Sequence, residues 1–125
     1  MISLTLEQLL ELHALVISET GGSAGLRDLG RLEAALAAQT QSVFDQELYE
    51  SIFEKAAALL RGITADHVFV DGNKRTGSLT ALVFLKINGQ SFRAKKGEIE
   101  DFAVEVATDH LDVATIAVWL KAHCR

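Results

Sequence analysis

His67-Val68-Phe69-Val70-Asp71-Gly72-Asn73-Lys74-Arg75-Thr76 lies between two long stretches whose apolar residues recur at helical spacing. From His67 to Arg75 it gathers a candidate base, a hard oxygen ligand, a glycine turn and two cations. Lys74 to about Leu85 reads as a helix, with Leu79, Leu82, Val83 and Leu85 apolar. Asn73 or Asp71 suits its N-cap, and Gly72 permits a positive φ. The unpaired N–H groups and the dipole of such a helix start attract phosphate. Lys74 and Arg75 oppose that dipole, which hints at a bound anion between them. Asp71 suits Mg²⁺, which takes one or two carboxylates and shares phosphate oxygens. His67, with an ordinary pKa near about 6.5, is the natural general base. Phe69 is expected to pin the loop into the core. Together these parts fit in-line attack of a hydroxyl on a nucleotide phosphate.

Upstream of the motif, a helix is expected from about Gln46 to Ala65, with Leu48, Ile52, Phe53, Ala56, Leu59, Leu60 and Ile63 apolar. It delivers His67 at its C-terminal end, so two helices fix the base relative to the Asn73 turn. Thr40-Gln41-Ser42 is a polar break, preceded by a helix from about Arg31 to Ala38. Arg27 can reach a phosphate or pair with a local acid, and the second is preferred. Gly21-Gly22-Ser23-Ala24-Gly25 is a flexible loop, either a flap or a long turn. The first helix spans Thr5 to about Ser18 and opens on a Thr5/Gln8 capping box. His13 reads as a hydrogen-bonded helix residue rather than a catalyst.

Downstream, Asn88-Gly89 stops the motif helix. Gln90 to Arg93 is a short extended piece. Further helices are expected from about Gly97 to Thr108 and, capped by Asp112, to about His123. Lys95-Lys96 reads as a solvated turn and Trp119 as packing.

Composition narrows the class. At 125 residues, 49% hydrophobic and without proline, the chain suits one all-α domain over residues 1–125. A net charge of −5 argues against direct nucleic-acid binding by phosphate neutralisation. The single Cys124 suits a reducing cytoplasm and is a poor candidate nucleophile near the end of a helix. No signal-like or membrane-spanning run is read. P-loop, H-E-x-x-H and EF-hand patterns are absent, and His110 and His123 lack zinc spacing.

The stretch His67 to Arg75 resembles the Fic/Doc motif, His-x-Phe-x-(Asp/Glu)-Gly-Asn-(Gly/Lys)-Arg. Lys74 stands where nucleotidyl-transferring members have a second Gly, and Ser78 where they have a second Arg. Both departures are those of the Doc ("death on curing") branch. Leu12-His13, Gly21-Gly22 and Gly25-Leu26-Arg27-Asp28 with Gly30 extend the resemblance. It implies an all-α fold of about six helices with the motif loop between two central ones. It further implies a toxin of a toxin–antitoxin pair that uses ATP and Mg²⁺ to phosphorylate a threonine of elongation factor Tu and stop translation. His67 would then be the base, Asp71 the Mg²⁺ ligand, and Gly72, Asn73, Lys74 and Arg75 the phosphate-binding residues. The glycine loop would be a flap region positioning the target. Lys74 would crowd the α-phosphate site and favour transfer of the γ-phosphate. Transfer of AMP to a protein hydroxyl is the alternative, and a catalytically silent antitoxin-binding domain is another. No internal inhibitory helix is read, because Ser3 with Glu7-Gln8 ends on the wrong residue. Inhibition is therefore expected in trans, from a cognate antitoxin segment folding into a surface groove.

Overall fold

The Thr5 side chain accepts the Gln8 N–H and the Gln8 side chain accepts the Thr5 N–H, closing the capping box that starts α1, Leu6–Thr20. The structure is a computed structural model that describes residues 1–125. It is built of six helices and one small hairpin. Asp28 caps α2, Leu29–Ala37. Ser42–Val43 (β1) pairs antiparallel with Gln46–Glu47 (β2). Ser51 caps α3, Ile52–Ala65. The motif helix is α4, Asn73–Ile87; then come α5, Glu98–Asp109, and α6, Val113–Ala122, which Asp112 caps.

Two expectations are corrected here. The helix foreseen from Gln46 begins only at Ile52, because Ser51 caps its N-terminus and Gln46–Glu47 is taken into the hairpin. The hairpin turn holds Phe44 and Asp45 at positive φ, 52° and 63°. Arg27 forms no ion pair; Arg31 instead faces Asp28 at 3.4 Å and Asp66 at 3.9 Å.

The principal packing is α3 against α4, with α6, α5 and α2 also on α3 and α1 laid on α4. Gly77 makes the α3–α4 approach possible: a Cβ there would collide with the Thr64 side chain and crowd the Leu60 carbonyl. The main core joins Leu59, Leu60, Phe84, Leu85, Ile116 and Leu120. A smaller cluster of Leu9, Leu32, Ala35, Ile63, Val68 and Phe69 lies under the motif loop. No helix is long and apolar enough to cross a membrane.

Candidate active site

The site is made where α3 stops. Asp66 ends the helix, and His67 takes a left-handed conformation (φ 48°) that turns the chain. His tolerates that region better than branched side chains do. The turn sends Val68 and Phe69 inward, both fully buried, and leaves His67 exposed. The His67 ring has no hydrogen-bond partner within the protein, so its nitrogens are free for an incoming group.

The loop that follows is tied on every side. The Val68 carbonyl accepts the N–H groups of Arg27 (2.8 Å) and Asp28 (3.0 Å), and the Val70 N–H donates to the Gly25 carbonyl (3.0 Å). Asn73 reaches back to Phe69: Oδ1 accepts its N–H and Nδ2 donates to its carbonyl, both at 2.9 Å. The Phe69 ring, pinned as expected, stacks on His13 with centroids 3.7 Å apart and planes 5° from parallel. His13 Nε2 lies 2.9 Å from the Asp71 carbonyl oxygen. The Asp71 carboxylate accepts the Ser23 N–H at Oδ2 (2.7 Å), and Oδ1 has no partner. The glycine loop thus lies against the motif.

Helix α4 opens on Gly72, left-handed at φ 79°, with no side-chain cap. Neither Asn73 nor Asp71 caps it. Asn73 is committed to Phe69 and Asp71 to Ser23, so the residues suited to capping are used elsewhere. The N–H groups of Asn73, Lys74 and Arg75 consequently find no acceptor in the protein. Lys74 and Arg75 form no ion pair. With Gly72, Asn73, Glu100 and Val104 they line an open pocket of about 310 Å³. Unpaired helix-start N–H groups beside two free cations can hold an anion. Ser78, 2% exposed, turns inward and donates to the Lys74 carbonyl (2.8 Å), so it offers nothing to that pocket.

For a divalent cation the loop offers one carboxylate oxygen. Mg²⁺ takes few protein oxygens and completes its shell with water and substrate phosphate. The free Asp71 Oδ1 is one such oxygen. Cys124 lies away from this chemistry, in a bridge with Phe92, and burial pushes its thiol above the ordinary value, which disfavours the reactive thiolate.

The structure brings Gly72, Asn73, Lys74 and Arg75 to one pocket and joins Asp71 to their helix start. It adds His13, Ser23 and Glu100 to the residues expected there. Ser23 falls in the glycine loop expected as a flap, His13 shares the buried face of α1 with Leu9 and Val16, and Glu100 has no signal in the sequence.

A model of the family described as "Fic/DOC family" matches residues 3–85. The chain is similar to "Toxin Doc" of Mycolicibacterium smegmatis, 41% identical over 102 residues, which span 80% of this chain and 78% of the relative. It is also similar to "Protein kinase doc" of Escherichia phage P1, 37% identical over 116 residues, which span 92% of this chain and 90% of the relative.

Proposed function

The chain belongs to the Fic/DOC family, and on that premise we propose that residues 1–125 form one domain acting as the toxin of a toxin–antitoxin pair. Its activity is that of a protein kinase: it moves the γ-phosphate of ATP to a threonine hydroxyl of elongation factor Tu in the cytoplasm and halts translation. A cognate antitoxin inhibits it in trans. The names of its two relatives, a toxin and a protein kinase, support this reading.

The observation that carries it is the start of α4. Three N–H groups without acceptors and two cations in no ion pair meet in one pocket, which Glu100 also lines. In the proposed reaction His67 takes the proton of the attacking hydroxyl, whose oxygen bonds to the γ-phosphorus. The bond from that phosphorus to the β,γ-bridging oxygen breaks, and ADP leaves. The Asn73, Lys74 and Arg75 N–H groups orient the phosphate. Lys74 and Arg75 offset its charge, and positioning plus electrostatics supply most of the rate. Mg²⁺, when bound, neutralises phosphate oxygens, and Asp71 is the residue that would hold it. The inward-turned Ser78 favours phosphate over AMP transfer, because no second Arg is present to grip a further phosphate.

Purified protein, Mg²⁺–ATP and elongation factor Tu test this by intact mass and site mapping. A gain of one phosphate on a threonine is expected. A gain of AMP would move the protein to the nucleotidyl-transferring reaction. No Mg²⁺-dependent ATP affinity at all would indicate a binding domain without catalysis.

A further inference from the structure

We infer that His13 is a positioning residue for the candidate site: through the Asp71–Gly72 peptide it aims a fourth N–H group, that of Gly72, at the anion. The inference rests on the phosphate-transfer reading and deepens it.

His13 is 3% exposed and lies with Leu9 and Val16 on the buried face of α1. Its Nε2 is 2.9 Å from the Asp71 carbonyl oxygen. A carbonyl only accepts, so Nε2 must carry the hydrogen. The ring cannot swing away, because it is stacked on the buried Phe69 at 3.7 Å. His13 is the one group that hydrogen-bonds the Asp71 carbonyl.

The Asp71 carbonyl and the Gly72 N–H belong to one trans peptide, so they point in opposite directions. Holding the carbonyl inward on α1 turns the N–H outward. That N–H has no acceptor in the protein, and Gly72 lines the same pocket as Asn73, Lys74 and Arg75. The seat beneath is shaped for this turn: a Cβ on Gly72 would come within 3.2 Å of Ile17 Cδ1 and 3.4 Å of Val16 Cγ1, both on α1. Without the His13 bond, glycine's backbone freedom lets the peptide rotate, and the N–H leaves the pocket.

Two variants separate the bond from the packing. His13→Phe keeps a ring on Phe69 and removes the donor. His13→Gln removes the ring but carries an N–H donor the same number of bonds from Cβ. Titration of each folded variant with Mg²⁺–ATP and with inorganic phosphate gives affinities, and thermal melting gives stabilities. We expect His13→Phe to bind about ten-fold more weakly, one charge-assisted hydrogen bond's worth, and His13→Gln to stay within about three-fold of the wild type. Affinities that simply track melting temperature, or a His13→Phe protein that binds like the wild type, would overturn the inference. Should both variants fail to fold, nitrogen NMR of the wild-type imidazole decides: the Nε2–H tautomer, with the Gly72 amide shifting on phosphate addition, supports the role. An Nδ1–H tautomer or an unmoved Gly72 amide refutes it. A wild type that binds neither ligand would remove the phosphate reading and this role with it. That result is separable, because in the other failures the wild type still binds.

Discussion

Between α3 and α4 the backbone groups of Val68, Phe69, Val70 and Asp71 are tied to α1, to residues 25–28 or to Asn73, whereas the hairpin Ser42–Glu47 has only its own short ladder and one anchor. All six hairpin residues are exposed, and Phe44 at its tip is 96% exposed. The anchor is Lys55 of α3, itself 2% exposed, which donates to Glu47 Oε1 (2.9 Å) and to the Gln39 carbonyl (2.8 Å). The difference separates two needs. A site for phosphate chemistry gains from a loop fixed before substrate arrives. An exposed hairpin with few tertiary contacts belongs to the low-stability end of a fold and can adapt.

The largest effect should come from removing the candidate base, whose side chain nothing holds. His67→Ala should lower phosphate transfer at least about 100-fold, with the melting temperature essentially unchanged because the ring is exposed and unbonded. A folded variant retaining full transfer would displace His67 as the base.

Next, Asn73→Ala should make the motif loop as loose as the hairpin. It strands the N–H and carbonyl of buried Phe69 and should destabilise the protein by about 3 kcal/mol in denaturant unfolding. Amide exchange at Val70 and Ser23 should accelerate with it. Unchanged stability would mean the loop is not held as described.

Lys55→Met tests the other side and should be milder. It strands the Gln39 carbonyl, but Glu47 can return to water and the burial penalty of an ammonium disappears, leaving a net loss of about 1 kcal/mol. Hydrogen exchange at Leu48 should rise while Val70 and Ser23 stay protected; equal loosening of both regions would join what the comparison separates.

The smallest effect calibrates the scale outside both regions. The Lys95 N–H, and after it His123, hold the Glu98 carboxyl below its ordinary 4.5, against the opposing pull of burial. A lowered folded value contributes stability that is present above pH 4.5 and lost as pH falls through the folded value. Glu98→Gln should therefore flatten the acid limb of a stability–pH curve slightly and leave neutral-pH transfer untouched. An unaltered acid limb would count against the contact.

Local chemistry was legible in the sequence and long-range commitments were not. The Thr5/Gln8 box, the Asp112 cap, the Asn88 stop and the inward Phe69 follow from neighbours within a few residues. The cap of α4 is not legible in the sequence, because Asn73 and Asp71 suit capping equally well as types. Their actual partners, Phe69 and Ser23, are set by the folded loop. The hairpin leaves no mark because Phe44-Asp45 lacks the Asn-Gly signal of a tight turn, and Leu48 and Ile52 continue the helical spacing of α3. Proximity pairs Arg27 with a local acid, whereas folding brings Asp28 and Asp66 to Arg31. His13 is the hydrogen-bonded helix residue its setting suggests, but its partner lies 58 positions away.

The most direct measurement follows label from ATP to protein. Two parallel reactions with elongation factor Tu and Mg²⁺ would carry ATP labelled at the γ- or at the α-phosphate. Label reaching the protein from the γ position alone is the predicted result. Label arriving from the α position would contradict phosphate transfer and the reading of Lys74 and Ser78 on which it rests.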